Sequence, residues 1–126
     1  MAAVYVGSSL HNAERVQEVQ QQFRNAGIIV TYDWTILGRI YDNETLAKVG
    51  KLEEQGVKEC DVFFMLHPAR NGTHYEMGLA KGLNKPIVMV TEHTIEEKTF
   101  YHTDGITRFT DLNEAIEFTL QILRGK

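Results

Sequence analysis

Four short runs constrain this chain more than anything else in it: Ala2–Val6, Ile28–Tyr32, Asp61–Leu66 and Pro86–Val90. Each is apolar at nearly every position, without the in-out alternation of a sheet that has one wet face. Such runs mark strands buried on both sides. Between them the pattern changes to helical spacing. Asn12–Ala26 places Ala13, Val16, Val19, Phe23 and Ala26 on one stripe, and Gly27 supplies a stop. Asn43–Cys60, Thr73–Asn84 and Leu112–Leu123 are further predicted helices, and Ile106–Phe109 is a short fifth strand. Thr35–Tyr41 and the polar Glu92–Gly105 stretch are expected as loops. Alternating strands and helices with apolar strands predict an α/β fold, a doubly wound, flavodoxin-like or Rossmann-like parallel sheet of about five strands. The 126 residues suffice for one domain.

In such a fold a ligand binds beyond the carboxyl ends of the strands. Four segments are expected there: Gly7–Asn12, Asp33–Tyr41, His67–His74 and Glu92–Asp104. The net charge of −4 and the lack of a Lys/Arg stripe argue against duplex nucleic acid as a partner. A small anion needs only a local positive spot. No apolar run is long enough for a membrane span, no signal-like segment opens the sequence, and the single cysteine, Cys60, forms no internal disulfide. A cytoplasmic location is the expectation.

Glu76 is the first candidate for chemistry. Thr73 and Glu76 also match the Ser/Thr-x-x-Glu capping box, so the carboxylate has a structural reading beside the catalytic one. Glu53 is the second. On a helical wheel it falls inside the stripe formed by Leu46, Val49, Val57 and Cys60, where a carboxylate is costly unless paired, protonated or open to a cavity. A small rotation would turn Leu52 inward instead. Two carboxylates at one end of a sheet suit glycosidic chemistry.

Gly72 and Thr73 open a helix after a strand and loop, which suits an anion, with Arg70 just before them. Gly7-Ser8-Ser9 offers a second small nest. Neither is a Walker loop or a dinucleotide fingerprint. Trp34 and Tyr41 either stack on a base or pack as core and rim. The five histidines make no metal-ligand pattern, and no metal or cofactor is expected.

Val4-Tyr-Val-Gly-Ser-Ser-Leu10, Asp61-Val-Phe-Phe-Met-Leu66, the run from Pro68 to Ala80 with Gly72-Thr-His-x-Glu76-x-Gly78, and Asn84-Lys-Pro-Ile-Val88 together resemble the nucleoside 2-deoxyribosyltransferase superfamily. That group includes the 2′-deoxynucleoside 5′-phosphate N-hydrolases. The resemblance spans about residues 2–91 and implies a flavodoxin-like sheet. It implies that Glu76 is the nucleophile toward C1′ of the sugar, that Tyr5 supports it, and that Glu53 is the acid near the base, where the family usually has Asp. Ser9 matches a serine that contacts phosphate in the hydrolase branch. Arg70 departs from both branches. Where it stands, free-nucleoside transferases carry an acid and the phosphate hydrolases a small hydroxyl residue, so an arginine favours monophosphates.

The resemblance also implies a homo-oligomer, at least a dimer, with each site completed by a neighbouring subunit through a segment equivalent to Glu92–Asp104. The expected function is cleavage or transfer at the N-glycosidic bond of a 2′-deoxynucleoside or its 5′-monophosphate. The alternatives are a nucleotide-binding sensor without turnover and an N-glycosidase acting on ribonucleotides or NAD-like substrates.

Overall fold

A computed structural model describes all 126 residues. Five strands, β1 (Ala3–Gly7), β2 (Ile29–Val30), β3 (Val62–Leu66), β4 (Ile87–Val90) and β5 (Ile106–Phe109), form one sheet in the order β2-β1-β3-β4-β5. Every pairing is parallel. This is the flavodoxin-like doubly wound order, and its direction reverses between β1 and β3. Four helices cover it: α1 (Ala13–Asn25), α2 (Asn43–Glu59), α3 (Asn71–Gly82) and α4 (Leu112–Arg124).

The central strands β1, β3 and β4 are buried at every position. Each shows alternate residues to the two helical layers. Tyr5 and Phe63 stack on one side, with centroids 5.7 Å apart, whereas Phe64 points to the other and meets Phe23 of α1 edge-on at 5.3 Å. α2 and α3 lie side by side. Tyr5 packs against Gly56 of α2 and reaches Glu76 of α3, which places both helices on the Tyr5 side.

Several boundaries differ from the sequence expectation. β2 is two residues rather than five, because it is an edge strand with Ile29 exposed. A short 3₁₀ turn at Trp34–Ile36 overlaps the start of the Thr35–Tyr41 loop, and another at Thr99–His102 lies within the Glu92–Gly105 loop. α1 ends as expected, with Gly27 at φ +83 just past its C-cap Ala26.

Candidate active site

The main cleft lies where the sheet reverses direction. It has a volume of about 590 Å³ and is walled by the loops after β1 and β2, by α2, and by the first turns of α3. That volume is in the range of small-molecule sites. Ser8, Ser9, Trp34, Glu53, Arg70, Gly72, Thr73 and Glu76 all line it. Tyr5 lies beneath, fully buried in the sheet.

Glu76 is not a cap. α3 begins at Asn71 with Arg70 as its N-cap, two residues before the expected start. Thr73 therefore occupies the third helical position, where its hydroxyl accepts from the Arg70 backbone N–H at 3.4 Å. Arginine has no acceptor with which to return the bond, so only this half of a capping exchange exists. Glu76 lies further in, and its side chain turns toward the sheet. The Tyr5 hydroxyl donates to Glu76 Oε2 at 2.5 Å. Glu76 is only 8% exposed, and burial pushes its pKa up to about 8. The Tyr5 hydrogen bond pulls the other way, and the charge of Glu53 adds to the rise. Burial, and then the Glu76 charge, likewise hold the Tyr5 phenol far above its ordinary value.

Glu53 does face inward. It is half-buried on the cleft wall while Leu52 is 51% exposed. Burial raises its pKa. The expected stripe is wrong at its start, however: Leu46 is 48% exposed.

The anion-binding candidates converge at one end. The N–H groups of Gly72 and Thr73, in the first turn of α3, lack intrahelical acceptors. Arg70 is exposed beside them. Ser9 is 3% exposed, and its Oγ has no hydrogen-bond partner within the protein. The Ser8 hydroxyl donates to the Pro68 carbonyl at 3.1 Å and accepts from Asn12 Nδ2 at 3.0 Å, which ties the β1 loop to the β3 loop. The Trp34 indole is 8% exposed and donates to the Val6 carbonyl at 2.8 Å, so it forms a fixed wall. Tyr41 does not line the cleft; its side chain is 80% exposed.

Glu92–Asp104 does not reach the cleft within its own chain. It packs against the side of α3 turned away from Glu76. Tyr101 is buried there, with its hydroxyl 2.6 Å from His74 Nε2. His74 Nδ1 lies 2.8 Å from the Arg70 carbonyl, which can only accept, so the imidazole proton sits on Nδ1 and Tyr101 donates to Nε2. Arg108, near the Tyr101 ring, is held by both oxygens of Glu97, and His102 pairs with the same carboxylate. No group of three or more His, Cys, Asp or Glu side chains is placed to hold a metal ion. Cys60 is buried, with its thiol pushed up to about 12, mainly by burial.

Two glycines shape the site in a way that sequence reading missed. A Cβ on Gly7 would lie 2.8 Å from Phe63 Cζ and 3.4 Å from Glu76 Oε1. A Cβ on Gly56 would lie 2.9 Å from Tyr32 Cβ and 3.0 Å from the Tyr5 ring. The available signal was Gly56 itself, a helix-weakening residue inside a helical pattern. The pairing of Tyr75 with Glu54 across the rim, from α3 to α2, carried no sequence signal.

No protein-family model matches the sequence, and no curated protein matches it. Solved structures do. The chain is similar to the CMP N-glycosidase BcmB of Clostridium botulinum, at 17% identity and a TM-score of 0.66, over 93% of this chain and 97% of that one. It is also similar to a 2-deoxyribosyltransferase of the psychrotolerant bacterium Bacillus psychrosaccharolyticus, at 24% identity and a TM-score of 0.70, over 97% of this chain and 96% of the other. At these identities the likeness establishes the fold: the whole chain is one flavodoxin-like α/β unit of the kind those two enzymes use.

Proposed function

We propose that this protein belongs with the nucleoside 2-deoxyribosyltransferases and related N-hydrolases, and that it cleaves the N-glycosidic bond of a 2′-deoxynucleoside 5′-monophosphate. The observation that carries this reading is Glu76, a buried carboxyl group at the cleft floor with Tyr5 bonded to one oxygen. A deoxyribose lacks the electron-withdrawing 2′-hydroxyl, so positive charge develops more easily at C1′. A carboxylate beneath C1′ stabilises that charge and can bond to it. The C1′–N bond breaks with its electron pair going to the base, and a Glu76 oxygen bonds to C1′. Glu53 supplies a proton to the departing base. Water then attacks C1′, releases the sugar phosphate and restores the Glu76 carboxylate; a second base in place of water gives transfer. Gly72, Thr73, Ser9 and Arg70 bind the 5′-phosphate.

The similarity to a CMP N-glycosidase favours a second reading, in which the sugar is ribose. Paired ribo- and deoxynucleotides distinguish the two. A second copy of the chain would complete the cleft at its open side, where Leu37 lines the wall and is 43% exposed.

The test is a panel of nucleosides and 5′-monophosphates, with and without an acceptor base, read by chromatography of released base. Glu76→Ala is expected to reduce cleavage by at least about 1,000-fold with the fold intact. Retained activity removes Glu76 as the nucleophile. Arg70→Ala should weaken monophosphates by about tenfold or more while sparing nucleosides; equal losses on both remove the phosphate assignment. Tight binding with no base release on any substrate would mark a sensor.

A further inference from the structure

The side chains able to read a base form a short set. Glu53 lines the cleft from α2, and Gly56 of the same helix packs against Tyr32 and the Tyr5 ring, which puts this wall on the β1–β2 side of Glu76. The α3 N-terminus, following β3, is on the other side. A nucleotide with its phosphate at α3 and C1′ over Glu76 therefore extends its base toward α2. Along that wall the Trp34 N–H is committed to Val6, and Glu54 is committed to Tyr75. Lys51 is exposed. No Asn or Gln side chain lines the cleft. Glu53 remains as the half-buried group free to pair.

We propose that the cleft selects a base carrying an amino group beside an unprotonated ring nitrogen, as cytosine and adenine do, and that Glu53 reads that edge. This rests on the glycosidase reading above. A carboxyl group opposite such an edge gives its proton to the ring nitrogen and accepts from the amino group with its other oxygen. The C1′–N electron pair moves into the protonated ring, and a bidentate ion pair results. Uracil and thymine place an N–H between two carbonyls. They offer no ring nitrogen to take the proton, and an ionised Glu53 would face a carbonyl oxygen. Burial raises the Glu53 pKa, which keeps the proton available closer to neutrality.

The experiment compares kcat/KM for base release from CMP and dCMP against UMP and dUMP, followed to single turnover for slow variants. Wild type is expected to favour the cytosine nucleotide of each pair by at least about tenfold. Glu53→Gln presents one donor and one acceptor that can turn either way, so its ratio should fall to near one. Glu53→Asp keeps the carboxyl group and should keep the preference at a lower rate. Circular dichroism verifies that both variants fold. Equal or faster release of uracil by wild type, or a ratio unchanged in Glu53→Gln, overturns the assignment while the glycosidase reading stands. No release from any of the four nucleotides, nor from AMP and dAMP, overturns that reading, and the assignment with it.

Discussion

At the scale of single residues, Glu76 as the proposed nucleophile combines two demands that oppose each other. A nucleophile must be ionised, yet burial holds this carboxyl group neutral up to about pH 8. In the Glu53→Gln background, where no acid on the base side titrates, kcat/KM should therefore rise with pH toward a limb near 8. Tyr5→Phe removes the one hydrogen bond that favours the charged form. It should move the limb to higher pH and lower kcat/KM below the limb by about 10- to 100-fold. A pH–rate profile of both proteins in that background checks this; an unmoved limb would contradict it. The same shift affects stability. The folded state keeps a proton that the unfolded carboxyl group, with its ordinary value of 4.5, releases. That contribution is fully present below pH 4.5 and is lost as pH rises through about 8, a change on the order of 5 kcal/mol. Thermal melts of Glu76→Gln should lack this decline; parallel wild-type and variant curves would count against it. The residue types were legible in the sequence. Which way Glu76 turned was not, because cap and nucleophile have the same spacing from Thr73.

At the scale of elements, α2 fits onto the sheet through the absence of a side chain. The Tyr5 ring occupies the space beside Gly56, so helix approach and phenol position are set together. Gly56→Ala should destabilise the protein by about 1–3 kcal/mol through overpacking, although alanine is the better helix former. Gly50, on the same helix, has open space around its would-be Cβ. Gly50→Ala should instead stabilise by about 0.5–1 kcal/mol. Denaturant titrations of the pair test this, and equal signs would refute it. The central strands could be read from sequence because burial on both faces leaves nearly uninterrupted apolar runs. The Glu92–Asp104 segment could not. Its order comes from Arg108 gripping Glu97 and Tyr101 meeting His74, contacts between residues 11 and 27 positions apart that leave no period in a polar stretch.

At the scale of the whole molecule, the parallel order β2-β1-β3-β4-β5 explains why the candidate site residues collect at one place. Chain direction across the sheet reverses between β1 and β3, so the loops after them diverge and leave a gap. Three of the four segments expected beyond the strand ends border that gap. The fourth is carried past β4 to the far flank of α3, a placement that depends on strand order and not on local pattern.

Trp34, pinned to the Val6 carbonyl on the cleft wall, is the only tryptophan in the chain. Its ultraviolet emission therefore comes from one known location. Stacking of a nucleotide base beside it should dim that light without changing its colour, whereas loss of the tertiary structure should shift it to longer wavelength. A single cuvette can thus distinguish an occupied cleft from an opened protein, with no added dye.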